Sequence, residues 1–323
     1  MAIHDPPPLA TSRGGRLTAA AERRPVVLVW VGVLLFSVGP VLVGASSVSG
    51  PVLSFWRLWF GVAVMGVATI VHVRVTGRRP DRVGWSWAGR AGVAFGLHQL
   101  AFMSAIKATS VVDVTLMQVL APMFVALLAG PLFGERPGAA FRLWSVVAVL
   151  GAGIVVLAGA SGPEGAPLGM ALAVVNVALF ALYFVWSKQG RDHIDVVPFL
   201  LGVVSAAGLT VTAYVVVSGA SPGSASAEDL VLAATIAVVP GALGHFVSTW
   251  PLRFVAANIP PVLQLTTPFL AGAMAWLLLD QSITALHLLG GLVTVVGVAG
   301  AIRSPSGRRL AAARPPVEAV DGP

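Results

Sequence analysis

The chain has no cysteine in its 323 residues, and only 10% of them are charged. The missing cysteine excludes disulfides, iron–sulfur clusters, thiolate zinc sites and a cysteine nucleophile. The missing charge says more. A soluble globular protein carries roughly 25% charged residues, so most of this chain does not face water. Several chemical signatures are absent as well. There is no H-E-x-x-H, no phosphate-binding Walker loop and no pair of carboxylates within the apolar runs, so the sequence offers no catalytic constellation, metal site or cofactor site and does not read as an enzyme or an ATP-driven pump. Gly159-Ala160-Ser161-Gly162 matches the short motif of an intramembrane serine protease, but it runs into Pro163 and reads as a helix stop.

Apolar runs fill the space that charge leaves. Stretches long enough to cross a bilayer, about 20 residues each, fall at 25–44, 52–72, 87–106, 110–132, 139–160, 167–187, 196–218, 230–251, 258–279 and 282–302. The expected fold is an all-α membrane protein with ten transmembrane helices. Residues 1–24 and 303–323 are polar and read as disordered cytoplasmic tails. Of the 20 Lys and Arg residues, all but Arg57 and Lys107 lie in the two tails or in alternate loops and their flanks. The intervening loops carry Glu164, Glu228, Asp229 and Asp280. Positive charge gathers on the cytoplasmic side, so both termini are expected inside the cell (inner) membrane and Lys107 and Glu164 outside. The +7 net charge is therefore read as topology and not as nucleic-acid binding.

The chain also repeats. When it is slid along itself until Lys107 lies over Arg253, Gln118 meets Gln264, Pro122 meets Pro268 and Gly151 meets Gly297 without a gap. The repeat units are 25–160 (helices one to five) and 167–302 (helices six to ten). Five helices per unit is an odd number, so the two units run in opposite directions through the membrane. Inverted repeats of this kind place a substrate site between the halves near the midplane.

Polar residues inside apolar runs are costly and mark function or interhelical hydrogen bonds. The candidates are His98, Gln99, Gln118, Asn176, His245 and Gln264; taken singly, each reads equally as a pathway contact or as glue between helices, and the Gln118–Gln264 pair is favoured for the pathway because the repeat sets both near the pseudo-twofold axis. Gln118 and Gln264 each stand four residues before a proline (Pro122, Pro268), which frees a carbonyl and bends the helix beside them. Trp56 and Tyr183 are deep enough to line a pocket for an amphiphile. Gly151, Gly153, Gly290, Gly297 and Gly300 read as close helix packing.

Arg57 lies roughly 9 Å below a helix end at 1.5 Å per residue. An unpaired Arg at a helix centre costs about 2.5–3.5 kcal/mol on insertion scales, so an ion pair with Asp113, in the same leaflet, is expected. The competing readings are that Arg57 snorkels to the headgroups and that Asp113 follows Ser110 at capping distance and serves the free N–H groups of its own helix. Asp113, His98 and His245 are the protonatable groups at depth that energy coupling would draw on.

Particular segments resemble a known family. Phe102-Met103-Ser104-Ala105-Ile106, Thr109-Ser110, Leu120-Ala121-Pro122-Met123-Phe124 and Leu132-Phe133-Gly134-Glu135-Arg136 look like the EamA repeat of the drug/metabolite transporter superfamily. Pro51 to Arg57 is similar to its second helix. The second half departs from that pattern, with Gln281 in place of the usual Glu and Val203 opposite Arg57. The resemblance implies a secondary transporter that exports small metabolites, amino acids or related amphiphiles. Its partners would be the small-molecule substrate and the lipid bilayer, with the chain a monomer or homodimer. A non-transporting membrane assembly subunit and an intramembrane enzyme are the alternatives.

Overall fold

A computed structural model describes residues 25–77, 82–121, 123–124, 138–159, 166–190, 193–244, 247 and 265–305. The described residues are helical, with no strand among them. The elements are α1 (Pro25–Ala45), α2 (Gly50–Thr76), α3 (Arg82–Ala108), α4 (Val111–Gln118), α5 (Ala139–Gly159), α6 (Ala166–Gly190), α7 (Val196–Ser218), α8 (Ala227–Ile236), α9 (Thr267–Leu279) and α10 (Ala285–Arg303). Six helices are long and apolar enough to cross a membrane: Gly50–Thr76, Ala139–Ala158, Pro167–Ser187, Val196–Ser218, Ala227–Gly244 and Ala285–Arg303. The apolar parts of α1 and α9, Trp30–Ala45 and Thr267–Leu279, are shorter. The chain is a multi-pass membrane protein.

Local chemistry sets the helix ends. Pro51 in the first turn of α2 loses only an N–H that has no partner there anyway. Gly77 closes the same helix at φ 67°, the left-handed geometry that glycine adopts without a Cβ clash. Ser226 and Asp229 form a reciprocal capping box on α8. Thr284 and His287 form another on α10, which is why that helix starts at Ala285 and not at 282 as its apolar run predicts. Pro240 interrupts the helix that α8 begins. Its ring displaces the usual i→i−4 bond, and the chain continues as a π-helical stretch over Ala237–Gly244.

α3 has the length of a span but is diluted by His98 and Gln99, and it does not rank among the six. It is also an enclosed helix, packed against α6 and α7 and touching α2. Polar residues are tolerated at depth where protein and not lipid surrounds them. Small residues permit the enclosure: a Cβ at Gly92 would stand 2.6 Å from Ala206 Cβ and from the Val203 carbonyl. α5 and α10 pack on each other just as closely, while α1 lies against α9 and the π-helical stretch, α4 against α6 and α9, and α2 against α7 and α8.

Two buried apolar clusters result. One joins α1, α2, the end of α3, α4, α5, α6, α8 and α9 around Val43, Leu53, Met103 and Val114. The other lies between α2, α3, α6 and α7 around Leu58, Phe95, Phe199 and Val203. The periphery is as apolar as the interior, with Leu150, Leu157 and Leu277 outermost on their helices. That is the surface of a protein solvated by lipid.

Candidate substrate pathway

Three residues four or three apart on α6 and three on α3 build one buried cluster. Asn176, Phe180 and Tyr183 share a face of α6; Phe95, His98 and Phe102 share a face of α3. Where the two faces meet, His98 Nδ1 lies 3.2 Å from the Asn176 carbonyl oxygen. Its ring packs at 5.1 Å from Phe180, 5.6 Å from Phe95 and 6.0 Å from Phe102, the last in a stacked arrangement. Phe95 and Tyr183 stand 4.8 Å apart. From α2, the Arg57 guanidinium sits over the Phe95 ring at 5.3 Å, a cation–π contact. Arg57, His98, Asn176 and Tyr183 are all buried. Among the described residues, both side-chain amide atoms of Asn176 and the Nη1 of Arg57 lack a hydrogen-bond partner. Buried polar atoms are satisfied in the great majority of cases, so this concentration at one helix junction makes the place the candidate site.

A cavity of about 40 Å³ opens beside the cluster. Arg57, Phe95 and Tyr183 line it together with Leu58 and Met65 of α2, Val203 of α7, and Ala237 and Gly241 of the π-helical stretch. The proline-induced distortion of α8 thus supplies one wall. π-Bulges recur at functional sites because they re-aim backbone and side chains.

The other residues expected from sequence fall elsewhere. Trp56 donates from Nε1 to the Pro222 carbonyl at 3.0 Å and stacks on Phe60 at 5.8 Å, so it anchors the 3-10 turn at the Asp229 end of the molecule and stays outside the cluster. Gln99 is buried, and its carbonyl accepts from Ser54 Oγ at 3.2 Å. Gln118 ends α4 half-buried, with no side-chain hydrogen bond among the described residues. Gln264, His245, Glu164 and the Gly159–Gly162 motif beyond Gly159 lie outside the described residues.

The expected Arg57–Asp113 ion pair does not form. Asp113 instead faces His287 of α10, with Nε2 and Oδ1 2.9 Å apart. Its Oδ2 accepts from Thr109 Oγ1 and Ser110 Oγ, each at 2.7 Å, and its own N–H donates to Ser110 Oγ. Sequence order decides this. Asp113 is in the first turn of α4, where Ser110 caps and the start of α10 is adjacent, whereas Arg57 points from α2 toward α3 and the α8 wall. The carboxylate is the cap that its spacing from Ser110 suggests, with a histidine partner added. His287 was missed because it lies within an apolar run; its place three residues after Thr284 is the signal that finds it.

The same end of the molecule is closed by further polar ties. Asp229 accepts from Ser47 N at 2.7 Å and Ser47 Oγ at 2.8 Å, and Gln281 Oε1 accepts from Val111 N at 3.0 Å. Lys107, just past the apolar stretch of α3, donates to the Ser46 carbonyl. Desolvation lowers the pKa of its ammonium, and the negative charge of Asp229 opposes that shift. At the opposite end His72 of α2 meets Asp195 of α7 at 3.1 Å.

Residues 167–303 match the model of the EamA-like transporter family. This half of the chain is an EamA-like transporter domain. The match falls on the second half, although the motifs that carry the resemblance are densest in the first, and it covers α6 to α10. The EamA-like domain therefore contributes Asn176, Tyr183 and the π-helical wall, and the preceding half contributes Arg57 and His98. The chain is 28% identical over 266 residues to an uncharacterized transporter of Archaeoglobus fulgidus, covering 80% of this chain and 90% of that one. It is 24% identical over 247 residues to the uncharacterized transporter YdfC of Bacillus subtilis, covering 76% and 79%. A solved crystal structure of another protein, 18% identical, covers 85% of this chain and 95% of its own with a TM-score of 0.59, which is a likeness of fold.

Proposed function

We propose that this protein is a secondary transporter of the drug/metabolite superfamily that exports small amphiphilic metabolites, amino acids among them, across the cell membrane by alternating access. The observation that carries this reading is the buried polar and aromatic cluster of Arg57, His98, Asn176 and Tyr183. It lies at the junction of the two halves and has three side-chain atoms without hydrogen-bond partners. A purely structural junction favours satisfied polar groups. The EamA-like match and the two relatives named as transporters support the same reading.

The halves are 25–160 and 167–302, related as inverted five-helix repeats in a ten-span protein with both termini cytoplasmic and the Asp229 end external. Helix neighbours support the repeat. If each helix is exchanged with the one five places on, α3–α6 becomes α8–α1, α3–α7 becomes α8–α2 and α4–α6 becomes α9–α1, and each of these pairs is in contact. The pairs α2–α7, α4–α9 and α5–α10 exchange with themselves, as helices beside a pseudo-twofold axis do. Gln118 and Gln264 are expected to line the central pathway. The test is counterflow by the purified protein in liposomes, over amino acids and amphiphilic drugs, with and without a pH gradient. Counterflow without ATP is expected. Uptake that needs ATP and no gradient refutes the secondary-transporter reading, and a hydrolysed product refutes transport as the primary activity.

A further inference from the structure

Among the described residues Arg57 has no acidic partner: Glu228 and Asp280 are exposed, and the other acids are engaged elsewhere. Among the described acids, Asp113 is engaged by His287, Thr109 and Ser110, Asp229 by Ser47 and Ser226, and Asp195 by His72. Arg57 itself is 9% exposed, and its Nη1 has no partner. The guanidinium stays protonated wherever it is placed, so neutralising it by proton loss is not an available relief. Snorkelling is not observed either, because the group lies under α3 and α8 and over Phe95 at 5.3 Å. Phe95 stands at one face of the guanidinium, and Arg57 is among the residues that line the cavity beside it.

The cavity suits one kind of guest. Its lining is almost wholly apolar apart from Arg57 and Tyr183, so a guest gains little there except from the guanidinium edge and from apolar contact. Gly241 of the π-helical stretch brings backbone and not a side chain toward Arg57, whose Nη2 would stand 3.9 Å from a Cβ there. A guanidinium edge binds a carboxylate through two parallel N–H···O bonds.

We propose that Arg57 is an anion-binding residue that receives the carboxylate of the transported solute, with Phe95, Met65 and Val203 contacting the apolar part next to it. This names the substrate class as amphiphilic carboxylates and rests on the transporter reading. The position is suited to coupling as well. The anion would touch α2 and α3 of the first half and α7 and α8 of the second, so binding biases how the halves sit against each other.

The experiment compares 4-phenylbutyrate with its neutral isostere 4-phenylbutyramide, read by intrinsic tryptophan fluorescence and thermal stabilisation of the purified full chain. Chloride and sulfate are run as inorganic controls. The wild type is expected to bind the carboxylate at least about tenfold more tightly than the amide, where a tenfold ratio is 1.4 kcal/mol. Arg57→Gln is expected to remove that preference, and Arg57→Lys to keep part of it. Gly61→Leu leaves the charge in place and fills the cavity, since a Cβ there meets nothing nearer than 3.9 Å; it is expected to weaken the carboxylate while Arg57 remains. Equal binding of carboxylate and amide, an unchanged preference in Arg57→Gln, or competition by chloride with no carboxylate preference overturns the proposal. The two readings fail separately. Counterflow of neutral amphiphiles without carboxylate preference leaves the transporter and ends the site, whereas carboxylate binding without counterflow of any solute leaves the site and ends the transporter.

Discussion

Gly151 and Gly153 lie two residues apart on α5, and substituting alanine at each is expected to have opposite effects. A Cβ at Gly151 would stand 2.4 Å from Thr294 N, 2.6 Å from Thr294 Oγ1 and 2.8 Å from the Gly290 carbonyl. The first and last of these are backbone atoms of α10 and cannot rotate away. Restoring ordinary contact at about 3.4 Å requires the two helices to part by about 1 Å, and overpacking of this kind costs about 1–3 kcal/mol. Alanine returns roughly 0.8–1 kcal/mol of helix propensity, so Gly151→Ala should destabilise by up to about 2 kcal/mol. At Gly153 a Cβ meets nothing within 4 Å; the propensity gain stands alone, and Gly153→Ala should stabilise by up to about 1 kcal/mol. The propensity gain is common to both, so the difference is the overpacking cost of about 1–3 kcal/mol, roughly one to two powers of ten in the unfolding constant. Reversible SDS unfolding in mixed micelles, followed by circular dichroism, measures it. If both variants shift the midpoint in the same direction, the backbone-to-backbone packing of α5 on α10 is refuted. The sequence marks both glycines alike as packing residues, and the structure corrects that for Gly153.

Three further outcomes are expected. Asp113→Asn and His287→Ala should couple by about 0.5–3 kcal/mol in a double-mutant cycle, whereas Arg57→Ala and Asp113→Asn should add; measurable coupling in the second cycle would restore the ion pair that the structure replaces. Asp229→Ala removes a helix cap, worth about 0.5–2 kcal/mol, together with two bonds from Ser47. It should lower stability by at least about 2 kcal/mol in the same SDS assay, and a loss under about 0.5 kcal/mol would make that contact incidental. Because the chain has no cysteine, Ser224→Cys and Val75→Cys, both at exposed positions, can be labelled in whole cells by an impermeant maleimide. Labelling is expected at 224 alone, and labelling at 75 alone inverts the topology.

What sequence determines here is whatever depends on one helix at a time. Burial in lipid demands long apolar runs whose backbones satisfy themselves, so several helices could be read closely: 196–218 coincides with α7 and 139–160 with α5 but for one residue, whereas turns at 119–120 and 265–266 interrupt the runs 110–132 and 258–279. Caps are equally local, and the Ser110–Asp113 spacing announced one. Polarity inside apolar runs brought His98 and Asn176 into view and depth brought Tyr183, while the helical repeat that sets Phe95, Phe102 and Phe180 on the same faces went unused. Tertiary structure alone decided which faces meet. An intramembrane charge announces its need for a partner but not its direction, because direction depends on helix rotation and crossing. Arg57 and Asp113 share a leaflet and yet belong to different junctions, one under α3 and α8 and the other against α10. The same holds for Pro240, which in sequence is a break in a span and in three dimensions is the π-helical wall that brings Gly241 up to the guanidinium of Arg57.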